Sequence, residues 1–162
     1  GIILDIVPKN ITKLIFAIGI CLGVGIMASF FTLTAIPTWY ATLNKPFFSP
    51  PNWVFAPVWT TLYILMGIAL YLVWTSKTRL KQHALNLFFV QLGLNVLWSI
   101  IFFGMKNPGL ALAEIVVLWA TIFLTIKSFN KVNSLAAYLL YPYLAWVSFA
   151  SILNLSIVLL NP

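Results

Sequence analysis

Hydrophobic residues occur along the chain in five long runs that are separated by short, more polar segments. The runs cover about residues 14–36, 53–75, 84–105, 109–127 and 134–160. Each approaches or exceeds the roughly 20 apolar residues that a helix needs to cross the hydrocarbon core of a bilayer. Within lipid only a helix or a closed barrel satisfies the backbone hydrogen bonds. We therefore predict an all-α membrane protein, in which residues 1–162 form a single domain built as a bundle of five transmembrane helices.

Prolines mark the exceptions to this simple pattern. Pro57 falls in the first turns of the second run, where a missing N–H costs little, whereas Pro142 lies inside the fifth run and predicts a kink. The first run is too long for the apolar core of a signal peptide, so we expect no cleavable leader.

Between the first two runs, residues 37–52 read PTWYATLNKPFFSPPN. Because proline restricts its own backbone and that of the preceding residue, we predict a semi-rigid roof folded onto one mouth of the bundle.

Composition agrees with the pattern of runs. Of the 162 residues, 62% are hydrophobic and 7% are charged, compared with about 25% charged residues in soluble domains. The net charge of +7 comes from nine Lys and Arg scattered between the runs, which argues against a nucleic-acid surface. The single cysteine, Cys21, excludes an intrachain disulfide and is interpreted as a small packing residue.

The cations also predict an orientation. Lys45 and Lys106 belong to one side of the membrane, and the other side has all the remaining cations: Lys9, Lys13, Lys77, Arg79, Lys81, Lys127 and Lys131. Because cytoplasmic loops carry the excess of Lys and Arg, we place the N-terminus and the 76–83 and 128–133 loops in the cytoplasm. The rule is best founded for a bacterial cell membrane, which is the location we predict.

Tryptophans fall into two groups by depth. Trp and Tyr collect at both membrane interfaces, which accounts for Trp39, Tyr40, Trp53 and Trp74 near the ends of the runs. A second group lies deeper, namely Trp59, Trp98, Trp119 and Trp146. These indoles could face lipid or fill the packing between helices, or they could line a binding site.

Polar neighbours favour a binding site. Gln91, Asn95, Trp98 and Phe102 are spaced i, i+4, i+7 and i+11, so they share one helical face. Two amides on a lipid-facing stripe would be costly, so this face should point into the bundle, where the amides could also simply bond another helix. Two further faces carry rings: Trp59, Tyr63, Met66 and Leu70 in the second run, at the same spacing, and Trp146, Ala150, Leu153 and Asn154 in the fifth, at i, i+4, i+7 and i+8. Converging rings with few polar groups are typical of a small-molecule site.

Three segments carry a resemblance to a known family. WYATLNKPFFSPPNWVFAPVWTTLYILMG, QLGLNVLWSIIFF and LLYPYLAWVSFASILN together resemble the translocator protein (TspO/MBR) family, also called tryptophan-rich sensory proteins or peripheral-type benzodiazepine receptors. The resemblance extends from about Phe30 to Asn154. It implies five transmembrane helices, often as a dimer, in a bacterial membrane or the mitochondrial outer membrane.

The resemblance also implies a ligand. Members of this family bind tetrapyrroles such as protoporphyrin IX and haem, and synthetic isoquinoline carboxamides and benzodiazepines, in a pocket under the roof. Porphyrin or haem would be a ligand, and we predict no required cofactor and no metal site. Carried onto the matching positions, the pocket residues would be Tyr40, Pro50, Pro51, Trp53, Trp59, Asn95, Trp98, Trp146 and Ala150.

One motif departs from the animal members of the family. Those members bind cholesterol through a pattern near the end of helix five that requires a Tyr followed by a cation. Here Leu155 stands where the Tyr would be, and no cation follows it. Such motifs are weak in any case, and we expect no strong sterol binding through this segment.

The remaining polar residues leave several questions open. Glu114 is an acid within a run, for which a structural hydrogen bond and a functional role are both open. His83 belongs to the side opposite the predicted pocket and is interpreted as ordinary, while Lys45 is a candidate partner for a porphyrin propionate. Gly19 and Gly23 form a GxxxG pattern that permits either packing within the bundle or dimerisation.

Three classes of function follow from these observations. The first is a membrane receptor or sensor that binds a porphyrin-type tetrapyrrole and moves it across or within the membrane. The second is an enzyme that degrades porphyrin with light and oxygen through the indole of Trp59 or Trp146. One His and two acids provide no conventional catalytic set, but indole chemistry would not require one. The third is a structural or partner-binding membrane protein whose rings serve only packing.

Overall fold

Five membrane-spanning helices form the protein, as the hydrophobic runs predict. A computed structural model describes the backbone of residues 2–162 and the side chains from Asn10 onward. The side chain of Lys9, which entered the charge argument, and residue 1 of the predicted domain lie outside this described part. The helices long and apolar enough to cross a membrane are Asn10–Ala35, Asn52–Trp74, Lys81–Gly104, Pro108–Val132 and Ser134–Leu160. The prediction of an all-α bundle of five transmembrane helices is confirmed.

Six regular α-helices make up these spans. They are α1 (Ile2–Ala35), α2 (Phe55–Trp74), α3 (Lys81–Ser99), α4 (Pro108–Val132), α5 (Ser134–Leu139) and α6 (Tyr141–Leu160). Helix α1 packs along α2, α3 along α4, and α4 along α6, while α5 contacts α2 and α4. We call the half of the bundle that carries residues 37–52 the roof half and the opposite half, which carries the loop between α2 and α3, the far half.

Helices α1 and α2 approach each other closely at one glycine. A Cβ atom added to Gly67 would lie 2.5 Å from the Cα atom of Ile18, so only glycine fits at this crossing. On α1, Ala17 and Cys21 face inward and are fully buried. Gly19 and Gly23 lie on the other face, are exposed, and have nothing within 4 Å of an added Cβ. The GxxxG pattern therefore points away from the bundle.

The fifth span is divided rather than kinked as one helix. Helix α5 ends at Leu139 and α6 begins at Tyr141, with Pro142 in its first turn. Proline suits this position because the first turn of a helix has no use for its N–H. The Asn133 side chain accepts hydrogen bonds from the backbone N–H groups of Leu135 and Ala136, at 2.9 and 3.2 Å, and caps α5. The break thus lies immediately before the proline that predicts it.

Helix α4 continues beyond the hydrophobic run that predicts it. The run ends at residue 127, whereas the helix ends at Val132 and buries Ser128 and Phe129 in its last turns. At its start the Asn107 side chain accepts a hydrogen bond from the backbone N–H of Leu110 at 3.1 Å. Hydrophobicity detects only the lipid-matched part of a helix, because polar residues can extend the same helix into the interface.

A π-helical turn, Ile100–Gly104, extends α3 toward the roof. The N–H of Met105 donates to the carbonyl of Ile100 at 2.7 Å, which is the wide spacing of this turn. Phe102 and Phe103, although adjacent in sequence, are both buried. Turns of this kind are frequent at functional sites because they re-aim side chains, and here the turn directs two rings into the roof half.

Candidate functional site

A cavity of about 530 Å³ occupies the roof half of the bundle. This volume lies within the range of roughly 300–1,000 Å³ that small-molecule sites usually have. Helices α1, α2 and α6, the end of α3 with its π-helical turn, and the roof all contribute to its wall. Aromatic side chains dominate that wall: Tyr40, Trp53, Phe55, Trp59, Tyr63, Trp98, Phe102, Phe103, Trp146 and Phe149.

Trp59 is at the centre of this aromatic wall. Its ring stacks on Tyr63 with centroids 5.6 Å apart and planes 28° apart, and it meets Trp146 at 90° with centroids 6.4 Å apart. Trp146 in turn contacts Phe55 and Phe149 at 6.2 and 5.5 Å. Rings in stacked and edge-to-face contact hold one another in fixed orientations, so the wall presents both ring faces and ring edges to the cavity.

The indole N–H groups of the wall are not equivalent. Trp98 donates its N–H to the side-chain oxygen of Asn154 at 3.0 Å, and the Asn154 amide donates to the carbonyl of Pro108 at 2.9 Å. Trp98 of α3 is therefore tied through Asn154 of α6 to the start of α4. Trp59 and Trp146 make no hydrogen bond through their N–H groups within the described part of the chain. These two donors thus remain available in the wall, as does the N–H of Trp53, which also makes no hydrogen bond to a residue that the structure describes.

A chain of hydrogen bonds lies beneath the cavity floor. The Tyr63 hydroxyl donates to the Asn95 side-chain oxygen at 2.7 Å, and the Asn95 amide donates to the Tyr143 hydroxyl at 2.8 Å. The Tyr143 hydroxyl donates onward to the side-chain oxygen of Gln91 at 2.7 Å, and the Gln91 amide lies 4.0 Å from the Met66 sulfur. The polar face predicted for the third helix therefore points into the bundle, where it bonds α2 and α6.

The roof is attached to the bundle by rings and by one cation. Tyr40 is buried against the rings of Phe55, Phe102 and Phe103. Burial raises the pKa of the Tyr40 phenol above its ordinary value, so this ring borders the cavity uncharged. The Lys45 ammonium donates to the carbonyls of Tyr40 and Leu43, at 3.0 and 3.3 Å, and lies 4.8 Å above the Tyr40 ring. Lys45 thus braces the roof and does not line the cavity.

A pair of asparagines ties the roof to the end of α6. The backbone N–H of Asn44 donates to the Asn161 side-chain oxygen at 3.0 Å, and the Asn161 amide donates to the Asn44 carbonyl at 2.8 Å. The Asn44 amide also lies 3.4 Å from the carbonyl of Leu160. These residues are 117 positions apart in the sequence. We call this reciprocal pair the roof latch.

The predicted pocket residues separate into two groups. Six line the cavity: Tyr40, Trp53, Trp59, Trp98, Trp146 and Ala150. Pro50 and Pro51 lie in the roof but outside the lining, where the Pro51 carbonyl accepts from the N–H of Val54 at the start of the second span. Asn95 is also outside the lining, and its side chain bonds Tyr63 and Tyr143.

Sequence reasoning missed the wall that α1 supplies. Gly25, Ser29, Thr32 and Ile36 line the cavity. Their spacing of i, i+4, i+7 and i+11 is the same that identified the ring-bearing faces, so the periodic signal was present. The spacing alone does not indicate a cavity wall here, because none of the four side chains is aromatic or carries an amide.

Other polar residues lie apart from the cavity. Trp119 is 37% exposed on α4 and donates to the Ser148 hydroxyl at 2.8 Å, and it does not line the cavity. Glu114 is 9% exposed, and neither carboxyl oxygen has a hydrogen-bond partner among the residues that the structure describes. His83 is exposed in the far half. In residues 10–162, no three His, Cys, Asp or Glu side chains group as a metal site would require.

Comparison with known proteins gives a consistent result. Residues 17–160 match the model of the TspO/MBR family. A tryptophan-rich protein TspO from Archaeoglobus fulgidus is 49% identical over 152 residues, which cover 94% of this chain and 99% of that protein. A tryptophan-rich sensory protein from Cereibacter sphaeroides is 40% identical, over 76% of this chain and 77% of that protein. The human translocator protein is 44% identical, over 72% and 70% respectively.

Proposed function

This chain belongs to the TspO/MBR family, and we propose that it is a membrane receptor or sensor that binds porphyrin-type tetrapyrroles in the aromatic cavity. The observation that carries the proposal is the wall of indoles from three helices around a cavity of about 530 Å³. The same site would accept isoquinoline carboxamide and benzodiazepine-type drugs, which are also aromatic and mainly apolar. Movement of the bound tetrapyrrole within or across the membrane is part of this proposal.

The chemistry of the wall suits a flat conjugated ligand. Ring faces such as that of Trp59 offer stacking, and the free N–H groups of Trp59 and Trp146 offer two directed hydrogen bonds. A small number of polar groups in an apolar pocket is how such sites fix orientation. The porphyrin would be held by shape and stacking as a ligand, with no further cofactor required.

Access from the bilayer is consistent with such a ligand. Two residues of the α1 wall, Ile26 and Leu33, are 62% and 68% exposed, and Ala56 and Thr60 of the α2 wall are also exposed. An apolar ligand dissolved in the membrane would therefore have one route to the site between α1 and α2, and a second route beneath the roof. The propionates of a porphyrin would lie toward the roof, where Lys45 has one N–H left after donating to two carbonyls.

Titration with protoporphyrin IX tests the proposal. In detergent-solubilised protein we expect saturable quenching of tryptophan fluorescence, and we expect Trp59→Phe and Trp146→Phe each to weaken binding by about tenfold or more. Trp119→Phe is the matched control, because this indole lies outside the cavity, and it should bind like the parent protein. Quenching that does not saturate, or equal losses in all three variants, would favour a structural or partner-binding protein instead.

A second candidate function is light- and oxygen-dependent degradation of the bound porphyrin. The observation that favours it is the perpendicular contact of Trp59 and Trp146, whose rings both border the cavity. An indole in contact with an excited porphyrin would act as its redox partner, with oxygen as the oxidant. Under illumination an enzyme would bleach the porphyrin absorption faster than the Trp146→Phe variant, measured at equal porphyrin occupancy. Equal bleaching rates would leave binding as the function.

The protein is a multi-pass membrane protein, and we propose that it lies in a bacterial cell membrane with its N-terminus in the cytoplasm. Cysteine labelling of intact cells tests the orientation in a Cys21→Ala background. Phe47→Cys in the roof should react with an impermeant maleimide, because this side chain is fully exposed, whereas Thr78→Cys in the far half should react only after lysis. The reverse result would invert the orientation.

A homodimer is a further part of the proposal. Chemical crosslinking in native membranes should give a band at twice the 18.2 kDa of the chain.

The rate at which protoporphyrin IX leaves loaded proteoliposomes tests whether the protein moves its ligand. A carrier would release the porphyrin at a rate proportional to protein content, whereas a sensor would not.

A further inference from the structure

The far half of the bundle carries positive charge without matching acids. Its described cations are Lys13, Lys77, Arg79, Lys81, Lys127 and Lys131. Among residues 10–162 the one acidic side chain is Glu114, which lies near the start of α4 in the roof half. None of the far-half cations forms an ion pair with a residue that the structure describes. Their counter-ions therefore come from outside the described part of the chain.

Two of these cations meet at Trp74, the last residue of α2. The Lys13 ammonium of α1 lies 5.6 Å from the centroid of the Trp74 ring, and the Lys81 ammonium of α3 donates to the Trp74 carbonyl at 3.1 Å. One ring face and one carbonyl at a helix end offset only part of two positive charges. After this hydrogen bond the Lys81 ammonium has two N–H groups left for another acceptor.

The three residues lie where their helices leave the hydrocarbon core. Trp74 ends the second membrane-spanning segment, Lys81 begins the third, and Lys13 lies in the first turn of the segment Asn10–Ala35. Tryptophan collects at the level of the lipid headgroups, and the Trp74 ring is partly buried against the core of the bundle. The anions that are concentrated at this depth are the phosphate groups of lipids.

An apolar surface continues from Lys13 toward the middle of the membrane. Phe16 and Ile20 follow Lys13 at i+3 and i+7, so the three residues share one helical face. Their side chains are 61% and 41% exposed. A lipid whose phosphate contacts Lys13 can therefore lay an acyl chain along α1, whereas a soluble phosphate would gain nothing from this surface.

We propose that Lys13, Trp74 and Lys81 form a binding site for the headgroup of an acidic phospholipid, whose phosphate oxygens accept hydrogen bonds from the two ammonium groups. Basic pockets between transmembrane helices recognise acidic headgroups in this way. The exposed Lys77 and Arg79 raise the positive potential beside the site. A zwitterionic lipid would bring its own cation close to the two ammonium groups, so it binds more weakly. The site is in the far half and does not depend on what the cavity binds.

Native mass spectrometry of the detergent-solubilised protein tests this site. We expect the parent protein to retain phosphatidylglycerol in preference to phosphatidylcholine when both have the same acyl chains and the same concentration. Lys13→Gln/Lys81→Gln should lower this preference about tenfold or more, because each cation near a membrane surface contributes about a factor of five. Lys127→Gln/Lys131→Gln is the matched control. It removes the same charge from exposed positions of α4 in the same half, and it should keep the parent preference.

The outcomes separate a site from a general effect of charge. Equal losses in the two double variants would mean that net charge holds the lipid, which overturns the proposal. Equal retention of both lipids by the parent protein would also overturn it. Lys13→Gln alone provides the reading if Lys13→Gln/Lys81→Gln fails to fold, because Lys13 is exposed on α1. In this variant the preference should fall about three- to fivefold, and an unchanged preference would reject the site.

Glycerophosphoglycerol separates a lipid site from a site for a soluble phosphate. This compound is the headgroup of phosphatidylglycerol without its acyl chains. A millimolar excess should leave the bound phosphatidylglycerol in place, because the acyl chains along α1 contribute to lipid binding. Displacement of the lipid by glycerophosphoglycerol would assign the two lysines to a soluble anion and would reject the phospholipid as the occupant.

Discussion

The two halves of the bundle use aromatic rings in opposite ways. In the far half, Phe88 and Phe129 stack in parallel with centroids 5.7 Å apart and are both fully buried. In the roof half, Trp59 and Trp146 meet at a right angle and border a cavity. Small residues explain the close packing of the far half, since Gly67 lets α1 contact α2 directly. The number of aromatic residues therefore does not distinguish a packed core from a cavity wall. The size of the residues that face the rings does.

The hydrogen-bond chain from Tyr63 to Gln91 lies between the two halves. Below it the helices are joined by side-chain packing, and above it indoles border the cavity. A satisfied polar network in a low-dielectric interior fixes one arrangement of its members. The network thus supplies a rigid floor, and we expect substitutions below it to affect stability and substitutions above it to affect binding.

The strongest test of the packed half is the glycine at the crossing of α1 and α2. In Gly67→Val the added atoms would meet backbone at Ile18, which cannot yield as a flexible side chain would. We expect the folded protein to be lost from detergent extracts, as measured by gel-filtration yield and thermal melting. Gly19→Val is the control, because that position is open on the outer face. A stable Gly67→Val protein would mean that the halves do not differ in packing as described.

A pair of aromatic truncations sharpens the comparison further. Phe129→Ala should lower the free energy of unfolding by about 3–5 kcal/mol, the usual cost of emptying a packed aromatic site. Trp146→Ala borders an existing cavity and should cost less, while it weakens protoporphyrin IX binding by more than about tenfold. Thermal melting and fluorescence titration of the same two variants provide both readings. Similar losses of stability in the two variants would contradict the distinction.

A substitution that fills the cavity should weaken ligand binding without lowering the stability of the protein. Ala150 lines the cavity on α6, so Ala150→Leu adds apolar volume where no packed atoms lie. We expect binding to weaken by about tenfold, an effect of roughly 1.4 kcal/mol, with an unchanged or raised melting temperature. Ala145→Leu, on the exposed face of the same helix, should alter neither quantity. A destabilised Ala150→Leu protein would indicate that the cavity closes in solution.

The sequence allowed the spans and much of the aromatic wall to be predicted because both are local and periodic. The faces that carry Trp59, Trp98 and Trp146 follow from helical spacing alone. The α1 wall has the same spacing, but its side chains are neither aromatic nor amides, so the sequence does not mark Ser29 and Thr32 as cavity residues. Periodicity identifies which residues share a face, whereas what that face contacts is known only from the packing.

Other features depend on contacts that no local pattern encodes. Asn95 lies on an inward face, as its helical spacing predicts, but its bonds to two tyrosines depend on the relative rotation of three helices. Likewise, Pro142 predicts a disruption in the fifth span, but it does not predict that α5 ends at Leu139 and a separate helix begins at Tyr141. The roof latch joins residues 117 positions apart, a separation at which pairing cannot be inferred from one sequence.

The roof latch gives the smallest effect that we expect, and the most specific one. Asn161→Ala removes the reciprocal hydrogen bonds to Asn44 but leaves the rings that border the cavity in place. Exposed hydrogen bonds contribute about 0.5–1.5 kcal/mol each, so the roof should open more often without unfolding. We therefore expect protoporphyrin IX to dissociate about two- to fivefold faster in stopped-flow measurements, with little change in melting temperature. Asn130→Ala, an exposed asparagine in the far half, should dissociate at the parent rate. An unchanged rate in Asn161→Ala would mean that the ligand leaves between α1 and α2 without passing the roof, and the roof would then act as a wall of the cavity and not as its gate.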